Sequence, residues 1–147
     1  MEIEQVKESQ YDELFEMMLI YSSEYLQSAI TKLGISVEQF KELFKTIGTI
    51  YVIYVDKDLA GFFWIERREE VLHIHALIIK SEFQGRGLGK KILQLIQDQY
   101  SSGAKILELG VHLSNHRAIN LYQNSGFVKV KEFDDIGFIV MQKRLHG

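Results

Sequence analysis

The sequence predicts a mixed α/β fold, a twisted and mostly antiparallel sheet of about seven strands flanked by about four helices, and three observations predict it. The apolar runs 49–55, 60–67 and 71–79 are joined by the polar turns Asp56-Lys57-Asp58 and Arg68-Glu69-Glu70, and connections so short make antiparallel hairpins. The helical pattern over 87–101 lies between the runs 71–79 and 105–111. It is long enough for a crossover, so those two runs should be parallel neighbours. No Pro/Gly/Ser-rich linker or charge block divides the 147 residues, 46% of them hydrophobic, so one domain over 1–147 with a substantial core is expected.

The elements follow in order. Residues 3–7 read as a short strand, and 11–28 and 37–45 as helices, the second with Ser36 as its cap. After the three hairpin strands comes Gln84-Gly85-Arg86-Gly87-Leu88-Gly89-Lys90, a strand-to-helix turn. Beyond it Leu88, Ile92, Leu93, Leu95, Ile96 and Tyr100 fall mostly on one helical face. A parallel strand at 105–111 follows, then a helix at 115–125 that Ser114 or Asn115 can cap. Gly126 suits the left-handed position at its end. Strands near 127–133 and 137–143 complete the sheet, and the chain shows no internal repeat or low-complexity tract.

Composition removes several classes of function. A net charge of −3 and a pI near 6.0 give no basic footprint for nucleic acid or an anionic membrane. The clusters 66–70 and 129–131 mix signs or are short, as on solvated hairpins. No apolar run is long enough to span a bilayer, and the acidic start Met1-Glu2-Ile3-Glu4 lacks the features of a signal peptide, so a cytoplasmic location is expected. The absence of cysteine excludes disulfides and removes the usual residue for a covalent acyl-enzyme.

The glycine-rich turn is suited to phosphates. Glycines 85, 87 and 89 keep side chains away from a ligand and permit the positive φ that turns N–H groups inward, and the following helix adds its positive dipole end. Arg86 and Lys90 add charge. A Walker-type loop would need four residues between its glycines and then Lys-Ser/Thr, but Gly89 is followed by Lys90 and Lys91. A dinucleotide fingerprint would need a third glycine where Lys90 stands. A turn without ligand and an anion site both fit the loop alone. The pattern that remains, Gln-x-x-Gly-x-Gly, resembles the acetyl-CoA pyrophosphate loop of the GNAT N-acetyltransferase superfamily. The segment from Asn115 to Phe127, with Asn-x-x-Ala-x-x-Leu-Tyr and then Gly126-Phe127, resembles the helix and strand entry of the same superfamily. The two stand in the family's order, one strand apart.

The resemblance implies an enzyme of the acyltransferase class that moves an acetyl group from acetyl-CoA to an amine, with no metal. It implies cofactor contacts at Leu77, Ile78, Ile79, Gln84, Gly85, Arg86, Gly87, Leu88, Gly89, Lys90, Asn115, Ala118 and Tyr122, and free backbone groups where the strand 71–79 splays from its parallel neighbour. Without a cysteine, transfer is expected to be direct, in a ternary complex. Period-two alternation puts Val71, His73, His75, Leu77 and Ile79 on one face. His73 and His75 stand eleven and nine residues before Gln84, where several family members carry the general base, and His73 is slightly preferred. Tyr122 is the candidate acid for the leaving thiolate. For each of the three, ordinary packing is the competing reading, and for Asn115 it is capping its own helix.

Family members commonly have proline three residues before the loop glutamine; this chain has Ser81 and no proline. Tyr21, Tyr25 and Trp64, with Phe40, are candidates for the acceptor pocket or for core. The acceptor, a small-molecule or peptide amine, is not identified by sequence, and a homodimer is left open. Two other readings remain: a non-catalytic acyl-CoA-binding regulatory module, and a metal protein using His73 and His75 with His112 or His116.

Overall fold

Strands β1 (Glu2–Gln5), β2 (Thr49–Val55), β3 (Asp58–Arg68), β4 (Val71–Ile79), β5 (Ile106–His112), β6 (Val128–Phe133) and β7 (Phe138–Arg144) form one sheet in the order β1-β2-β3-β4-β5-β7-β6. The structure is a computed structural model that describes residues 1–145, so the last two residues of the expected 1–147 domain lie outside the described residues. The β2–β3 hairpin closes with Val55 opposite Asp58, and Asp56 and Lys57 take φ of 51° and 70°. Positive φ at both central residues is the turn whose twist matches paired strands. Among the described residues only β4 and β5 pair in parallel, as the crossover length requires.

Among the described residues five α-helices cover the sheet: α1 (Tyr11–Tyr21), α2 (Ser23–Leu33), α3 (Val37–Thr46), α4 (Leu88–Leu95) and α5 (His116–Asn124). The single helix expected at 11–28 is two. The backbone breaks at Ser22 (φ −140°, ψ 36°), and α2 runs on to Leu33, where Gly34 at φ 69° ends it. Ser36 caps α3 as expected: its Oγ accepts from the Gln39 N–H at 3.1 Å, while Gln39 Oε1 accepts from the Ser36 N–H at 2.8 Å. The helix expected over 87–101 is α-helical only to Leu95 and closes with a π-type turn, Ile96–Tyr100. None of the helices among the described residues is long and apolar enough to cross a membrane.

Two cores lie on the two faces of the sheet. Helices α1–α3 pack Leu14, Met18, Phe40 and Phe44 onto Val52, Phe62, Trp64 and Ile78. Phe44 meets Phe62 and Trp64 edge-on, with centroids 5.8 and 5.1 Å apart, a geometry that contributes about 0.5–1.5 kcal/mol per pair beyond burial. On the other face α4 and α5 pack Ile92, Ile96 and Tyr122 onto Leu72, Ile74, Leu107 and Met141.

These cores expose a break in the alternation of β4. Leu72 and Ile74 face α4 and α5, but Ile78 lies in the α1–α3 core, with Ala76 packed against that core and Leu77 and Ile79 against the other. The phase shifts because Trp64 pairs with Ala76 while the next residue, Ile65, pairs with Ile74, which leaves His75 as the extra residue of a bulge. His73, His75, Leu77 and Ile79 therefore do not share one face as strict alternation predicts. His75 stacks on Trp64, on the α1–α3 side. Pairing of β4 with β5 also ends here, at Ile74 opposite Leu109.

Candidate active site

Where β4 and β5 part, a cleft of about 350 Å³ opens. Leu77, Ile78 and Ile79 form one wall, the loop and first turn of α4 supply Gln84, Gly85, Gly87, Leu88, Gly89 and Lys90, and α5 closes it with Asn115, Ala118 and Tyr122. Gly85 and Gly87 have φ of 79° and 73°, the left-handed conformation that glycine permits. Among the described residues, the backbone N–H groups of Gly85, Arg86, Gly87, Leu88, Gly89 and Lys90 have no hydrogen-bond partner. This run of free donors at a helix N-terminus, most of it open to solvent, is a ready anion cradle.

Side chains brace that cradle. Gln84 Nε2 donates to Ile79 O at 2.8 Å, and Gln84 Oε1 accepts from Arg117 Nη1 at 2.9 Å, joining the loop to both β4 and α5. Arg86 does not line the cleft: its Nη2 donates back to Glu82 O at 3.1 Å and its guanidinium lies over the Phe83 ring. Gly89 has a packing reason, since a Cβ there would come within 3.0 Å of Leu121 on α5. Asn115 Oδ1 caps α5 by accepting from the Ala118 N–H at 3.1 Å, and the residue still borders the cleft. Tyr21 also borders it, with its hydroxyl accepting from the Ser81 N–H at 3.2 Å.

A small throat of about 60 Å³, lined by His75, Leu77, Tyr25, Asn115 and Tyr122, touches the inner end of the cleft. Tyr122 is 8% exposed and borders both spaces, and burial pushes its phenol up to about 12. Its proton is therefore held across the physiological range. Burial, reinforced by Tyr122, raises Tyr25 further. Trp64 is 1% exposed and donates its indole N–H to Ile47 O at 2.7 Å, so it supports the His75 ring from below and lines none of these spaces.

Each histidine is backed by a carboxylate that sequence reasoning missed. His73 Nδ1 lies 2.8 Å from Glu108 Oε1, His75 Nε2 lies 2.7 Å from Glu66 Oε1, and the two rings are 4.6 Å apart edge to face. Gln142 Nε2 donates to Glu108 Oε2, and Arg68 Nη2 to Glu66 Oε1, each at 2.8 Å. Burial lowers both histidines and, with His73 as its second cause, takes His75 down to about 4. Burial also penalises the charge on Glu66 and Glu108, but hydrogen bonds from Arg68 and His75, and from Gln142 and His73, outweigh it and hold both below the usual carboxylate range. Both directions describe one state: neutral imidazoles donating to ionised carboxylates. The carboxylates thus leave His73 Nε2 and His75 Nδ1 as the free acceptors. A signal existed for Glu108, the one carboxylate in the apolar run 106–111, whereas Glu66 opens the mixed-sign cluster 66–70 and is not marked out by sequence. Their pairing with the histidines depends on register across three strands.

Of the β4 pair His75 reaches the throat, which His112 of β5 also lines, while His73 sits farther along β4, away from the cleft. His112 lies at the outer rim, Nδ1 2.8 Å from Ser114 Oγ and 3.3 Å from Glu24 Oε2. Among the described residues no three His, Asp or Glu side chains are grouped to hold a metal ion.

The buried His75 makes acid stability predictable. An unfolded histidine titrates near 6.5 and the folded one near 4, so its contribution is full above pH 6.5 and is lost as pH falls towards 4. His75→Gln should flatten the upper part of that slope, measured as urea midpoints across the window. An unchanged slope would mean that His75 titrates normally in the folded protein.

A parted pair of parallel strands, a free-donor loop and a helix N-terminus meet on one cleft suited to a phosphate-bearing ligand. Residues 11–127 match the family described as the acetyltransferase (GNAT) family, and the chain belongs to that family. It is 28% identical over 138 residues to the spermine/spermidine N(1)-acetyltransferase of Bacillus subtilis (strain 168), covering 86% of this chain and 88% of that one. It is 30% identical over 64 residues to the L-amino acid N-acyltransferase MnaT of Escherichia coli (strain K12), covering 43% of this chain and 37% of the relative. Two further curated relatives are likewise matched over only 53% and 35% of their own length. In fold, the chain superposes with TM-score 0.71 on a Bacillus subtilis acetyltransferase solved in complex with CoA, at 21% identity and with 98% of each chain covered.

Proposed function

We propose that this chain, acting as a single domain, transfers an acetyl group from acetyl-CoA directly to an amine within a ternary complex. The observation that carries this reading is the cleft at the β4–β5 parting, where the free N–H groups of residues 85–90 can take the pyrophosphate and the exposed edge of β4 at Leu77–Ile79 can take the thioester arm. An amine acceptor is supported by the names of the spermine/spermidine and L-amino acid relatives.

In this reading the amine nitrogen attacks the thioester carbonyl carbon through the throat. The N–C bond forms, the C–S bond breaks, and the sulfur leaves with the electron pair as thiolate. The proton released from nitrogen passes to His75 Nδ1 or to water beside it. A neutral imidazole is ready to accept, but at about 4 it is a weak base and hands the proton on to solvent. Tyr122, held protonated near 12, is too weak an acid to protonate a thiolate whose conjugate acid titrates near about 8.5. Its contribution is a hydrogen bond to the developing negative charge on sulfur. His73 acts through His75, against which its ring packs.

Free-thiol release with varied acetyl-CoA and varied amine tests the proposal, and initial-rate plots should intersect. Parallel lines, or an acetylated protein trapped without acceptor, would overturn direct transfer.

A further inference from the structure

Beyond the throat, on the α1–α3 side of the sheet, lies a pocket of about 450 Å³ that shares Tyr25 and His75 with it. Arg68, His73, His75, Glu108 and Gln142 line it from the sheet. Tyr25 and Lys32 of α2, Phe40 of α3, and Lys131, Phe133 and Phe138 of the β6–β7 hairpin wall it. Ser28 Oγ donates to Ile136 O at 2.6 Å and fastens α2 to that hairpin.

Charge is sorted along this pocket. At the inner end the carboxylates of Glu66 and Glu108 stand behind the histidines; Arg68, paired with Glu66 at 2.8 Å, offsets one of them, and the remaining negative charge favours an approaching ammonium. At the outer end Lys32 Nζ and Lys131 Nζ lie 4.6 and 4.8 Å from the centroid of the same Phe133 ring. Neither lysine has a carboxylate within ion-pair distance among the described residues; the neighbouring Glu132 is taken by Lys129 at 3.4 Å. Two ammonium groups sharing one ring repel each other, and an anion placed between them relieves that repulsion. The ends are well separated. Lys131 is on β6, three strand spacings from β4, or about 14 Å before the side chains reach inward. Between them the lining is aromatic and aliphatic: Tyr25, Phe40, Phe138 and Val140.

We propose that this pocket selects a small primary amine joined by an apolar spacer to an anionic group, with the amine inward at His75 and the anion outward at Lys32 and Lys131. This selectivity rests on the acetyl-transfer reading above, and it sets the chain apart from an acceptor site for polyamines, whose far end would be a second cation.

The test uses ε-aminocaproate, hexylamine and hexamethylenediamine, which differ at the far end. Binding to the CoA-saturated protein is measured by calorimetry alongside thiol release. ε-Aminocaproate should bind best and the diamine worst, with about a tenfold spread or more. The exposed double variant Lys32→Glu with Lys131→Glu should invert that order and keep the affinity for acetyl-CoA. An order unchanged by the charge reversal, or a diamine preference in the parent protein, overturns the selectivity alone. Loss of both acetyl-CoA binding and thiol release with all three amines overturns the transfer reading and the selectivity with it.

Discussion

Tyr122→Phe is expected to lower turnover by about 10²–10³-fold, the loss expected for one preorganised donor to developing charge, while leaving acetyl-CoA affinity nearly unchanged. The ring stays, and with it the packing of Tyr122 against Phe127 at 5.9 Å and its place in the α4–α5 core. What goes is a hydroxyl that matters chiefly when charge develops on sulfur, a transition-state interaction whose loss lowers kcat without raising KM. The high phenol pKa adds a second signature: the parent's rate should show no fall from tyrosine ionisation near pH 10, because burial moves that event to about 12. If the phenylalanine variant turns over at the parent's rate, the leaving thiolate is stabilised by something else and Tyr122 is a core residue.

Gly61→Ala should cost the most stability of any single methyl addition near the site. A Cβ at Gly61 would lie 2.1 Å from the carbonyl oxygen of Ile78, a backbone atom in the paired strand that has nowhere to move. The penalty expected is about 3 kcal/mol or more, beyond ordinary overpacking. Gly34→Ala is the comparison. Gly34 has φ 69° with nothing within 4 Å of its Cβ position, so only backbone strain of about 1 kcal/mol is at stake. Urea unfolding of the two variants should rank them in that order. A Gly61→Ala protein as stable as the parent would show that β3 and β4 do not approach so closely at the thioester end.

Much of this architecture is legible in the chain because local rules act alone there. Asp56-Lys57 lies between two apolar runs and makes the hairpin it predicts, and Ser36 with Gln39 makes the cap. The loop glycines and the Asn115-to-Phe127 segment meet on one cleft. The break at Ser22 is invisible because no proline or glycine marks it. What holds it is tertiary: Tyr21 is tied to Ser81 beside the loop, and Glu24 two residues beyond the break is tied to Ser114 at the far rim. Gly34, six residues after the expected helix end, was the readable sign that α2 continues. Alternation misplaced the histidines relative to Leu77 and Ile79, because a bulge is set by pairing with β3 and leaves no mark in β4 alone.

That bulge has a larger consequence. One unpaired residue acts on β4 as an inserted letter acts on a reading frame: odd-numbered positions up to it face α1–α3, and odd-numbered positions after it face α4 and α5. His75 stands at the shift, with the histidine–carboxylate pairs opening towards α2 and the cleft-lining Leu77 and Ile79 opening towards α4 and α5. In the proposed transfer, donor and acceptor would then approach from opposite faces of one sheet and meet at the shifted residue. Deleting His75 would remove the bulge and still leave Leu77 and Ile79 facing α4 and α5, because Ala76 would then follow Ile74 in plain alternation: the cleft wall would survive, and the residue that joins the two sides would be gone.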